Sequence, residues 1–166
     1  MTEVQTLTRY KAWADKLFLS TISGLSESQL VAPQPILFGS MLRTLHHSYA
    51  IDRVWQAHLL GEAHGYTTRN PDDTLPFDVL HDKQLAIDAW YVAYADALDP
   101  DQLAQVVDFT FIGGGNGSMS RIDILLHVVN HTTYHRGHVA GMLYHYSVFP
   151  PTTDLPVFLR ENVGGA

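Results

Sequence analysis

Four histidines on a helical repeat, His127-Val-Val-Asn-His131-Thr-Thr-Tyr-His135-Arg-Gly-His138, constrain this chain more than any other feature. They lie in a stretch that otherwise reads as one buried helix. At about 100° per residue they spread over roughly 80° of a single helix face. Histidines four apart stand one turn above the other, so two imidazoles can grip one transition metal. Lining an apolar core with imidazoles is costly without a purpose. The stripe therefore predicts a metal site inside a helical assembly. One helix face cannot enclose a cation, so a further ligand must come from another part of the chain.

Four segments carry helical periodicity. The first runs from about Thr2 to about Ser23, with Val4, Leu7, Tyr10, Ala14, Leu17, Phe18 and Ile22 on one stripe. The second starts at Ser40, an N-cap type of residue, and continues to about Leu60 before Gly61. The third spans about Phe77 to Leu98 and is closed by Asp99-Pro100. The fourth begins near Ser118 or Ser120, where Asp123 resembles the partner in a capping box, and ends near Ser147 before Pro150-Pro151. Between the first two, Ser26 to Phe38 reads as a linker broken by Pro33 and Pro35. Residues 104 to 112 are rich in β-branched and aromatic types and read as a short strand. The glycines that follow, Gly113 to Gly115 and Gly117, read as a mobile turn beside a short hairpin. They lack the Lys and hydroxyl of a phosphate-binding loop. The tail through Leu155 to Leu159 is expected to pack back onto the helices.

These elements predict an all-α fold: a four-helix bundle with a short β-hairpin-like segment between the third and fourth helices, in one domain over residues 1–166. Connections of about 12 to 20 residues are too long for a minimal up-down-up-down bundle, so a crossover connection is expected.

The formal net charge is −7 and no Lys/Arg cluster occurs, which argues against nucleic acid or an anionic membrane as the main partner. There is no Cys, so thiolate ligands and a thiol nucleophile of the chain's own are excluded. A cytoplasmic location fits that usage. The start of the chain lacks a signal-peptide pattern, and no apolar run is long enough for a membrane span.

The second helix offers His46 and His47, which point about 100° apart, so at most one faces the site. His47 shares a face with Ile51 and Val54. His46 shares one with Arg53 and reads as a boundary residue. His58, His64, His81 and His145 read as solvent-exposed or locally bonded. Three neutral imidazoles with an open position suit Zn²⁺, and also Ni²⁺, Fe²⁺ or Mn²⁺. A di-iron carboxylate site is disfavoured because Glu-x-x-His is missing. A zincin-type protease is disfavoured because His-Glu-x-x-His is missing.

Several segments share a pattern. The first helix holds Tyr10-Lys-Ala-Trp13-Ala-Asp15-Lys-Leu, against Tyr-Asn-x-Trp-Ala-Asn-x-x-Leu. The second opens with Phe38-Gly39-Ser40-Met-Leu-Arg-Thr44-Leu45-His46-His47, against Phe-Gly-Ser-x-x-x-Thr-Leu-Asn-His, and continues into Ala50-Ile-Asp52-Arg53-Val-Trp55. The fourth holds Asn130-His131-Thr-Thr-Tyr-His135-Arg136-Gly137-His138, against Asn-His-x-x-His-His-Arg-Gly-Gln. In this order and spacing, nearly the whole chain resembles the DinB-like family of damage-inducible proteins, many of them read as metal-dependent.

The resemblance implies an up-down-down-up four-helix bundle and a homodimer. It implies a metal held by His47, His131 and His135, choosing His47 because His46 stands at the family's Asn position. Asp15, Tyr134 and His138 depart from the pattern. His138 is a candidate fourth ligand, which would close the site. His127 is read as a supporting or packing residue. Relatives in the wider superfamily are thiol-dependent S-transferases and isomerases, so the resemblance implies a metal-dependent transferase or hydrolase using a low-molecular-weight thiol or another small-molecule substrate. The alternative is a metal-stabilised dimeric stress-response or binding protein without turnover. Tyr10 and Asp52 are the candidate general bases or orienting groups, with Asp52 also a candidate partner for a ligand imidazole. Tyr134 is a weaker candidate because it points away from its neighbour His135. Arg136 would either receive an anionic substrate or form an interhelical or dimer salt bridge.

Overall fold

The computed structural model describes residues 1–162; the last four positions of the expected 1–166 domain lie outside the described residues. The protein is mostly helical, with one small two-stranded antiparallel sheet. The long helices are α1 (Glu3–Ile22), α3 (Met41–Leu60), α4 (Phe77–Ala97) and α6 (Arg121–Leu143). Short helices α2 (Glu27–Val31), α5 (Pro100–Ala104) and α7 (Leu155–Asn162) and strands β1 (Val106–Thr110) and β2 (Asn116–Ser120) complete the element order.

Local chemistry sets most boundaries. Thr2 and Gln5 form a capping box that starts α1, and the Ser40 and Ser120 side chains accept from the third backbone N–H of α3 and α6. Gly61 ends α3 in the left-handed region, where a side chain would be strained. The fourth helix stops earlier than its periodicity suggests. It tightens into a 3₁₀ turn at Tyr144–Tyr146, and Ser147 adopts a left-handed conformation.

Two short elements depart from the sequence reading. The proposed linker after α1 contains α2, opened by a Ser26–Gln29 capping box. The residues before the fourth helix form β2, which pairs with β1 in the register Val106↔Ser120 to Thr110↔Asn116. Gly117 sits opposite Phe109, and a Cβ there would come within 2.5 Å of the Phe109 ring. The hairpin therefore needs glycine at that position for space.

Each long helix buries one face against two of the others: α1 packs on α4 and α6, and α3 packs on α4 and α6. Ile22, Met41, Leu80, Ile124, Leu125, Val139 and Leu143 form the fully buried centre. Removing such a side chain typically costs about 2–5 kcal/mol. The tail does pack back: Phe158 of α7 meets Trp13 and Tyr10 with ring centroids 5.5 and 5.9 Å apart. Among the described residues no helix is long and apolar enough to cross a membrane.

Candidate metal centre

Helices α3 and α6 bring His47 to His131 and His135. One nitrogen from each of the three lies within 4.8 Å of the other two, and among the described residues this is the group with metal-ligating spacing. The Nε2 atoms of His131 and His135 are 3.1 Å apart. Two ligands on a tetrahedral cation with bonds of about 2.0–2.1 Å stand roughly 3.3 Å apart, so this pair fits such an ion with little movement.

The third imidazole is oriented from outside. His47 Nδ1 lies 2.9 Å from the Arg69 carbonyl oxygen. A carbonyl only accepts, so Nδ1 carries the proton and Nε2 keeps its lone pair. A carbonyl holding the far nitrogen is the usual support of a metal-ligating histidine. Phe38, just ahead of α3, stacks on His47 at 4.2 Å and meets His135 edge-on at 5.3 Å, which restrains both rings.

Electrostatics keep the rings neutral. Burial, then the neighbouring imidazoles His135, His47 and His127, lowers His131 to about 3. Burial, then His47 and His138, lowers His135 to about 4. Burial also lowers His47. Neutral imidazole is the form that binds metal, so the cluster is ready for a cation at pH 7 without first losing protons.

The cluster faces a cleft of about 440 Å³ whose walls include Phe38, Ile51, Val54, Trp55 and Phe111, with Arg69, Asn70 and His58 among its polar groups. His127 also lines it, 4.9 Å from Trp55 and 5.7 Å from His131 between ring centroids. His138 stands outside the three-nitrogen group and packs on the Tyr134 ring at 4.4 Å. Tyr134 itself is 62% exposed. His46 is buried rather than at a boundary, on the neighbouring face of α3. His81 and His64 bond locally to Asp82 and the Tyr66 backbone N–H, whereas His145 departs from that expectation and reaches Gln34, 111 positions away.

Tyr10 and Asp52 do not line the cleft. They belong to a second buried constellation between the four long helices. Lys11 Nζ donates to Asp15 at 3.2 Å, to Asp52 at 2.8 Å and to Asp88. Arg136 donates to Asp15 at 2.8 Å and to the Tyr10 hydroxyl at 3.0 Å, and Tyr10 donates to the Thr153 carbonyl. Asp52 also accepts from Gln84 and Thr132, and none of its hydrogen bonds goes to an imidazole. Arg136 is thus an interhelical salt-bridge residue. Burial works against the Lys11 ammonium, yet Asp52, Asp88 and Asp15 together raise its pKa well above the ordinary value. Two cations against three carboxylates leave one excess negative charge. Burial raises Asp88 to about 7, with Lys11 opposing and Asp15 and Asp52 adding to the rise. A proton on Asp88 would balance the set. Lys11 and Asp88 were not identifiable as site residues from periodicity. The readable hint was a lysine four residues before Asp15 on the otherwise apolar stripe of α1.

Known proteins resemble this chain in sequence and in fold. The model of the DinB family matches residues 1–163. The chain is 23% identical over 159 residues to Protein DinB of Bacillus subtilis (strain 168), covering 92% of this chain and 91% of that protein. The crystal structure of a DinB-like protein from Bacillus cereus ATCC 10987 superposes with a TM-score of 0.66 at 18% identity, covering 87% of this chain and 91% of that one. At that identity the structural likeness speaks to the fold alone.

Proposed function

The chain belongs to the DinB family, and from that membership and the imidazole geometry we propose that it is a divalent-metal-dependent enzyme with His47, His131 and His135 as ligands. The observation that carries this reading is the convergence of His131 and His135 Nε2 at 3.1 Å, opposite a His47 whose far nitrogen is held by a carbonyl. Zn²⁺ or Ni²⁺ suits an all-imidazole set best. A bound divalent cation with an open position supplies Lewis acidity and makes a protic ligand easier to ionise.

The chain's own groups do the rest. Trp55, Phe111 and Ile51 offer an apolar wall against which a small substrate packs. Arg69 and Asn70 offer polar groups for orienting a small substrate. With no Cys in the chain, a thiol nucleophile has to arrive as a low-molecular-weight cosubstrate, so the proposed reaction is a thiol-dependent transfer, with hydrolysis second.

The proposed scaffold is a single-domain four-helix bundle of up-down-down-up topology. Contacts support it. Arg9 meets Asp96 while Lys11 meets Asp88, so α1 and α4 run in opposite senses. Asp52 meets Gln84 while Leu59 meets Tyr94, so α3 and α4 run together. His47 meets His135 while Trp55 meets His127, so α3 and α6 oppose. A homodimer and a cytoplasmic location complete the proposal, the first supported by exposed Leu126, Tyr134, Tyr144 and Phe149. A non-catalytic binding role would be favoured by a closed coordination sphere; the open cleft beside the three nitrogens favours the enzyme.

Metal analysis of protein purified without a histidine tag tests the assignment. Wild type is expected to carry a divalent metal, and His47→Ala and His135→Ala are each expected to lose most of it. Unchanged occupancy in both variants rejects the ligand set.

A further inference from the structure

A cavity of about 30 Å³ lies between α1, α3, α4 and α6, and His135 borders both it and the cleft. Phe18, Leu19, Leu80 and Val139 give it apolar walls, while Ser48, Asp15, Arg136, Gln84 and Thr132 give it polar ones. Two polar atoms of its lining residues are buried with no hydrogen-bond partner: Ser48 Oγ and His135 Nδ1. Both residues are only 6% exposed. Buried polar groups are nearly always hydrogen-bonded, so each stranded atom points to something that satisfies it.

The direction of His135 sharpens this. Its Nε2 faces His131, so in a ligating neutral ring Nδ1 bears the proton and needs an acceptor. Among the described residues no atom takes that proton. The exposed cavity wall is mostly apolar, but the space has room for one or two water molecules at roughly 10–15 Å³ each, and the unpartnered Ser48 Oγ and His135 Nδ1 are the atoms at its edge that would hold them. Asp15 also lines the cavity, fixed by Arg136 at 2.8 Å and Lys11 at 3.2 Å.

We infer that this cavity is a site for ordered water that accepts from His135 Nδ1, bonds Ser48 Oγ and joins the ligand histidine to the Asp15–Arg136 pair, making Ser48 a positioning residue for the metal. The inference rests on the ligand set proposed above. Water here would do for His135 what the Arg69 carbonyl does for His47: fix the tautomer and the ring plane. The buried charge cluster would then support the metal from behind through one or two hydrogen bonds.

Ser48→Val and Ser48→Thr test it, being nearly equal in volume but differing in the hydroxyl. With Zn²⁺ alone as probe, Ser48→Val is expected to bind about 10- to 100-fold more weakly than wild type. Ser48→Thr is expected to retain most of the affinity, while the metal-free melting temperatures of the two variants shift alike. A high-resolution crystal structure of the zinc-loaded wild type is expected to show water within hydrogen-bond distance of both Ser48 Oγ and His135 Nδ1. Equal zinc affinity for Val and Thr overturns the positioning role. A dry cavity overturns the water site, and decides the matter alone where Ser48→Val does not fold. Zinc bound with equal affinities refutes only this inference; wild type that binds neither Zn²⁺ nor Ni²⁺ refutes the ligand assignment and the positioning role with it.

Discussion

Helix α6 carries two buried polar regions side by side, and they are built on opposite principles. Thr132 and Arg136 turn toward the charge cluster of Lys11, Asp15, Asp52 and Asp88. His131 and His135, one residue earlier in each case, turn toward the cleft and His47. In the cluster nearly every donor and acceptor has a protein partner, Asp88 Oδ2 being the orphan. In the imidazole group both Nδ1 atoms on α6 are without partners and two Nε2 atoms face each other with one proton's worth of bonding between them. A satisfied buried network ties helices together. An unsatisfied one that stays neutral leaves ring nitrogens with the chemistry to hold a cation.

The largest test of this contrast is Lys11→Ala. It strands three carboxylates in the core, and breaking a buried ion network by removing one partner costs about 3–5 kcal/mol. Urea unfolding of the metal-free protein measures it. A loss under about 1 kcal/mol, the scale of a surface ion pair, would erase the distinction drawn for the cluster.

Metal removal comes next and acts on the other region. A ligand at a hundred times its dissociation constant stabilises the folded state by about 2.7 kcal/mol. Chelator treatment is therefore expected to lower the melting temperature of wild type and leave His135→Ala nearly unmoved. Equal shifts in both proteins would detach the stabilisation from the imidazoles.

The smallest effect separates the regions by sign. His131 and His135 titrate near 3 and 4 when folded, below the 6.5 of a free imidazole. The unfolded chain binds more protons in that window, so their contribution is present above about 6.5 and is lost as pH falls toward 4 and 3. Asp88 titrates near 7 when folded, above the 3.8 of a free aspartate. The folded state binds the extra proton there, so its contribution is full below about 3.8 and lost as pH rises through 7. In metal-free protein, Asp88→Asn is expected to make stability rise more steeply between pH 4 and 7 than it does in wild type. An unchanged slope would show that the cluster does not hold that proton.

Much of this was legible in the chain. Ser40 and Ser120 start the second and fourth long helices, and Gly61 and Asp99-Pro100 close the second and third, because caps and breakers act locally, whereas the fourth stops at Leu143, short of the expected Ser147. Helix α2 escaped because five residues are too few to show a period, although its Ser26–Gln29 capping box was written in the sequence. Strand β2, Asn-Gly-Ser-Met-Ser, has little strand propensity and exists because β1 offers it an edge. Asp52 looked like a partner for an imidazole because it follows His47 by five residues. In the fold it turns to Lys11, Gln84 and Thr132 instead, since a buried carboxylate binds an ammonium more strongly than a neutral ring.

The sequence by itself determined that His131 and His135 stand one turn apart on one face, since helix geometry leaves no other outcome for that spacing. It also determined that no thiol of the chain could join them. Tertiary structure alone decided that α3 runs beside α6 at the height where His47 meets the pair, and that Arg69, from a loop 22 residues away, turns its carbonyl to hold that ring. It decided too that Lys11 and Asp88, separated by 77 positions, would share one buried charge cluster. Local rules fix what a residue presents; only packing fixes what it meets.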